Sequence, residues 1–238
     1  MPRTKMSRHE LKEQDEITSS LQKFTEFVVL YKKEFTAGLT VAALLAIAIF
    51  GWSFYRSSRN AKAEAQLSQA INAFNDTANT KSDKERYEKT LVAAQKTYDQ
   101  YRSLPIGNMA LYYVGLSQEG LGDTTKSVQS LQEVSDRGDS SVKAVAQFAL
   151  GSIYKKHGDN QKAIEVYKRL YDTGGYSKAA VAYELASLYE ANKQPDQAKD
   201  FYQKVVSEFP DSPFRPNADE GLKRLGVTAP PPATQKPS

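Results

Sequence analysis

The sequence predicts an all-α protein: a stack of helical hairpins following a single transmembrane helix. Three observations carry this prediction. Phe35 to Tyr55, FTAGLTVAALLAIAIFGWSFY, is a run of 21 residues without a charge. Beyond it apolar residues recur at helical spacing, and no segment alternates convincingly with period two. From Ile106 onward the pattern also repeats itself about every 35 residues.

The apolar run has the length of a bilayer span, since a helix rising ~1.5 Å per residue covers about 30 Å in 20 residues. Lys32, Lys33 and Glu34 bound it on one side, Arg56 and Arg59 on the other. Trp52, Phe54 and Tyr55 gather at its second end, where amphipathic rings favour the headgroup layer. A buried core helix rarely needs so many uncharged positions. A cleaved signal would be shorter and closer to the N-terminus, and Ala61-Lys62-Ala63 is the only cleavage-like triplet nearby. The span therefore reads as a permanent anchor. Gly38, Ala42 and Ala46 share one of its faces, and small residues at this spacing let membrane helices approach closely.

Residues 1–16 are polar, mixed in charge and expected to be disordered. Over 17–34, Ile17, Leu21, Phe24, Val28, Tyr31 and Phe35 form one stripe, as in an amphipathic juxtamembrane helix lying in the interface; the alternative is a plain extension of the span. Charge near the two ends of the span is tied. Lys23, Lys32 and Lys33 stand against Arg56, Arg59 and Lys62. The whole leading segment carries seven Lys/Arg, which favours placing it inside and the larger domain outside.

After the span, residues 60–105 read as an irregular leading hairpin. Leu67, Ala70, Ile71 and Phe74 form its first stripe. A polar break covers Asp76 to Lys84. Tyr87, Leu91, Ala94, Tyr98 and Tyr101 form the second stripe, ended by Pro105. Three units then align through VGLSQEGLG (114–122), LGSIYKKHG (150–158) and LASLYEANK (185–193). Small residues coincide at Gly115, Gly151 and Ala186. Twelve residues later come Ser127, Ala163 and Ala198, then Leu131, Tyr167 and Tyr202, then Val134, Leu170 and Val205. Small side chains let two helices meet closely, and the large ones fill the space between neighbouring units. Ser212-Pro213 is expected to start a last helix with Phe214, Ala218, Leu222 and Leu225 on one side, and Gly226 to stop it. The remainder, 227–238, is Pro-rich and expected to be disordered.

This pattern over residues 106–226 resembles the tetratricopeptide repeat, a helix–turn–helix unit stable only when several stack. The first copy departs from the family pattern at Gln118 and Ser127. The resemblance implies a concave groove lined by the first helix of each unit. In this register the groove would carry Tyr112, Phe148 and Tyr183, then Leu116, Ser152 and Ser187, then Glu119, Lys155 and Glu190. The three rings would suit an extended apolar peptide; alternatively they belong to the core between helices. Of Tyr112, Leu116, Gly120, Phe148, Ser152, Lys156, Tyr183, Ser187 and Ala191, only Lys156 is charged, so capture of a chain-terminal carboxylate in the groove is not expected.

The order of parts, with Gly51-Trp52 closing the span, resembles the ancillary Sec translocon subunit family, single-pass proteins of the bacterial inner membrane. That likeness implies a cytoplasmic N-terminus, a periplasmic repeat domain, and the translocon, periplasmic chaperones and unfolded chains as partners. The segment SEFPDSPFRPNADEGLKRLG (207–226) is similar to repeat proteins of outer-membrane assembly and envelope division, which implies a scaffold for folded partners instead.

Composition bounds the chemistry. Without cysteine there are no disulfides, thiolate metal sites or thiol nucleophile. His9 and His157 lie on opposite sides of the span, so neither a metal site nor a Ser-His-Asp set can be assembled from them. Glu184 and Glu190 could form a carboxylate pair, as many helical surfaces do. No cofactor and no enzyme activity are expected. The 25 basic and 22 acidic residues beyond the span form no block of one sign, which argues against nucleic acid as a partner.

Overall fold

A computed structural model describes residues 25–26 and 29–227. The expectations for residues 1–16, for most of the 17–34 stripe and for 228–238 lie outside the described residues. The described residues contain helices and turns and no strand. The chain divides into two units, residues 1–59 and 60–238, and the division falls inside the first long helix, α1 (Lys32–Asn75).

In the first unit, Leu39, Leu44, Leu45, Ile47, Phe50 and Trp52 of α1 are exposed. Among the described residues it is the one helix long and apolar enough to cross a membrane. Thr36 donates its hydroxyl to the Lys33 carbonyl at 3.0 Å, and Thr40 donates to Ala37 O at 2.8 Å and Thr36 O at 3.0 Å. These bonds satisfy both threonine hydroxyls in an apolar setting.

The second unit begins with the last turns of α1, where Ala63, Leu67 and Ala70 are buried. It continues with α2 (Asp83–Tyr101), α3 (Pro105–Gly120), α4 (Thr124–Arg137), α5 (Ser140–Lys156), α6 (Asn160–Thr173), α7 (Lys178–Ala191), α8 (Pro195–Glu208) and α9 (Arg215–Arg224). Residues 76–82 form the polar break expected in the leading hairpin. Ser82 caps α2 by accepting from Glu85 N, while Glu85 reaches back to Lys81 N. The buried side of α2 is Thr90, Ala94 and Thr97 rather than its tyrosines, which are half-buried. Both threonines donate to the carbonyl four residues earlier, so they can be buried without an unpaired hydroxyl.

The three aligned units are the hairpins α3–α4, α5–α6 and α7–α8. All twelve positions of the aligned pattern are buried. A Cβ at Gly115 would lie 2.7 Å from Leu131 Cγ, and one at Gly151 would lie 2.6 Å from Tyr167 Cζ. The small positions thus exist to admit the large residue of the same hairpin. Each hairpin turns in the same way: Asp123 N donates to Gln118 O, Asp159 N to Tyr154 O, and Gln194 N to Tyr189 O. This closure needs a left-handed residue, supplied by Gly122 and Gly158 but in the last unit by Lys193, with φ 57°.

The terminal helix starts later than expected, at Arg215 with Pro216 in its first turn. Ser212 instead makes a turn: its Oγ accepts from Phe214 N and its carbonyl from Arg215 N. Ala218, Gly221 and Leu222 of α9 are buried, and a Cβ at Gly221 would lie 2.5 Å from the Tyr202 ring. Gly221 keeps the spacing of the small positions, 35 residues after Ala186, but the ring it admits belongs to the preceding hairpin. Gly226, with φ 76°, ends α9 as expected.

Candidate peptide-binding site

The proposed groove residues sit on α3, α5 and α7. Tyr112, Phe148 and Tyr183 are half-buried, neither a bare strip nor a sealed core. Phe148 stacks on Tyr176, from the loop before α7, at 4.3 Å and 19°, and meets Tyr167 at 5.4 Å. Tyr183 stacks on Phe214, from the turn before α9, at 5.6 Å and 27°, and meets Tyr202 at 6.0 Å. Tyr112 lies edge-on to Tyr113 at 5.4 Å, and Tyr113 in turn meets Phe74 at 5.4 Å. Burial, and then the phenols of Tyr113 and Tyr176, push the Tyr112 hydroxyl up to about 12. Tyr176 was not legible as a partner, because it lies in a connection; Phe214 continues the stripe of the last helix, but nothing near it in sequence points to Tyr183.

The polar positions are tied from one hairpin to the next. Glu119 of α3 accepts from Lys156 Nζ at 2.7 Å and from Thr124 at 3.0 Å, and its Oε1 lies 3.0 Å from His157 Nε2. Lys155 of α5 donates to Glu184 at 2.7 Å and to Ser187 at 3.1 Å on α7. Glu190 of α7 accepts from both Nε and Nη2 of Arg224 on α9, at 2.9 and 3.0 Å, and from the Tyr202 hydroxyl at 2.7 Å. Glu184 and Glu190, the possible carboxylate pair, are thus each held by a different cation. Burial raises the Glu119 carboxyl, but its hydrogen bonds to Lys156, His157 and Thr124 outweigh that and hold it below its ordinary value. The Arg224 fork is the main cause that lowers Glu190. Leu116 is half-buried and Ser152 exposed, with the Ser152 hydroxyl beside the Tyr167 phenol. No group of three or more His, Cys, Asp or Glu among the described residues could hold a metal ion.

The aligned hairpins and terminal helix define a helical-repeat protein. Residues 30–224 match the tetratricopeptide repeat-like domain, and the chain belongs to that family. A tetratricopeptide repeat protein from Parabacteroides merdae is similar in structure at 15% identity and a TM-score of 0.54, covering 68% of this chain and 60% of that one. The chain therefore spans about three-fifths of that protein's length. The tetratricopeptide-like repeats of a putative kinesin light chain from Podospora anserina are similar at 16% identity and a TM-score of 0.54, covering 69% of this chain and 85% of that one. These likenesses concern the fold. No curated protein matches the chain.

Proposed function

We propose that the chain is a non-enzymatic adaptor tethered to the bacterial inner membrane through residues 35–55. Its N-terminus is cytoplasmic and its repeat domain periplasmic, near the Sec translocon and its chaperones. The rings of Tyr112, Phe148 and Tyr183, with Leu116, Ser152, Lys155 and Ser187, form the surface that meets an extended apolar segment. The observation that carries this reading is the pairing of two features in one sequence: an exposed apolar helix of bilayer length, and a family fold built to bind polypeptide. The tether raises the local concentration of the domain at the membrane and leaves affinity to the repeats. Gly38, Ala42 and Ala46 are exposed on α1, and nothing lies within 4 Å of a Cβ built at Gly38. That face is free to pack against a partner's membrane helix.

A second reading, an envelope-assembly scaffold for folded partners, is favoured by the ion pairs that already occupy Glu119, Lys155 and Glu190. A photocrosslinking residue at the exposed Ser152, used in intact cells, separates the two. Adducts with translocon subunits or unfolded chains support the groove; adducts only with folded envelope-assembly proteins overturn it in favour of the scaffold.

A further inference from the structure

A separate depression of about 430 Å³ lies where the end of α4, the first two turns of α5, the end of α6 and the loop after α6 meet. Its volume suits a single side chain and its flanking backbone. Two polar side chains lining it are almost wholly buried: Gln147 is 4% exposed and Ser135 is 2% exposed. Neither side chain hydrogen-bonds to another described residue, and neither has a polar atom sealed from solvent, so both stay open to a ligand in the depression. Lys143 and Arg169 also line the depression, and neither forms an ion pair with a described residue. The one carboxylate on the wall, Asp136, accepts from Gln132 at 3.0 Å. Two free cations against one engaged carboxylate leave the site net positive.

We propose that this depression binds an Asp or Glu side chain of a partner polypeptide. Lys143 and Arg169 supply charge-assisted donors to the carboxylate. The Ser135 hydroxyl and the Gln147 amide N–H complete its shell. The Gln147 carbonyl is the feature that favours a carboxylate borne on a peptide over a free oxyanion. It is an acceptor and suits the ligand's own backbone N–H, which a fully ionised oxyanion lacks; phosphate, whose P–OH also donates, is therefore the stringent comparison. The site uses none of the groove residues named above and stands or falls independently of the groove.

The test is calorimetric titration of the full chain, kept in solution by dodecyl maltoside, with acetyl-tetraglutamate amide. Acetyl-tetraglutamine amide and inorganic phosphate serve as comparisons. The tetraglutamate peptide binds saturably and more weakly as salt rises, and the glutamine peptide does not bind. The double variant Lys143→Gln/Arg169→Gln loses at least about tenfold in affinity; both side chains are exposed, so the fold is retained. Gln147→Leu keeps the bulk, removes the amide, and also weakens binding while the salt dependence stays. Absent tetraglutamate binding, equal binding of the glutamine peptide, undiminished binding by the double variant, or binding of phosphate alone would each overturn the proposal.

Discussion

Gly151 is where the packing logic of the repeat can be tested most sharply. A Cβ there would sit 2.6 to 2.9 Å from three atoms of the Tyr167 ring. That ring is fully buried and cannot swing aside freely, because Phe148 lies 5.4 Å away and is itself stacked on Tyr176. Overpacking of this kind costs about 1–3 kcal/mol, set against a gain of ~1 kcal/mol when alanine replaces glycine inside a helix. Gly151→Ala should therefore destabilise by a net ~0–2 kcal/mol, and Gly151→Leu by about 2–4 kcal/mol. The decisive arm is a double-mutant cycle with Tyr167→Ala. With the ring gone the clash vanishes, and Gly151→Ala should stabilise by up to ~1 kcal/mol. The assay is urea unfolding followed by helical ellipticity on the fragment from Asn60 onward, which contains both buried apolar clusters. A cost below ~1 kcal/mol for Gly151→Leu, or an equal effect of Gly151→Ala in both backgrounds, would refute the packing argument.

Other outcomes follow from single features. Lys193 holds the left-handed position that Gly122 and Gly158 fill elsewhere, so Lys193→Gly should stabilise by ~0.5–1 kcal/mol in the same assay; a loss would show that its side chain matters more than its φ. Glu119 and Glu190 are held below their ordinary value of 4.5, so their contribution is complete above the unfolded value and lost as pH falls through the folded one. Thermal midpoints should drop below about pH 4.5, and Glu190→Gln should flatten that drop; an unchanged pH profile contradicts the linkage. For topology, Ser238→Cys should react with an impermeant thiol reagent in intact cells and Ser7→Cys should not. Labelling at position 7 alone reverses the assigned orientation.

The repeat itself was readable because its physics is local in sequence. Close helix approach demands a small residue, as at Gly115, Gly151 and Ala186, and the large residue it admits lies 16 positions later. What escaped notice depends on neighbours far along the chain. Thr90 and Thr97 look polar in a hydropathy pattern, yet they are buried because their hydroxyls bond back to their own helix. The ring of Tyr176 sits in a connection and shows no periodicity, and the stripe that includes Phe214 gives no hint that this ring stacks on Tyr183. The bonds Lys155–Glu184 and Glu190–Arg224 join residues 29 and 34 positions apart, and many other charges could have been paired on sequence grounds. Gly221 keeps the spacing of the small positions, although the ring it admits, that of Tyr202, belongs to the preceding hairpin.

The central claim is that the rings on α3, α5 and α7 bind extended apolar polypeptide. It is tested most directly by titrating an unfolded apolar peptide into the fragment from Asn60 onward and into its variant Tyr112→Ser/Phe148→Ser/Tyr183→Ser. The unaltered fragment should bind with a dissociation constant on the order of micromolar and little dependence on salt. The triple variant should keep its helicity and lose the binding. Undiminished binding by a folded triple variant would move the partner surface elsewhere, and unfolding of the variant would make the rings part of the core.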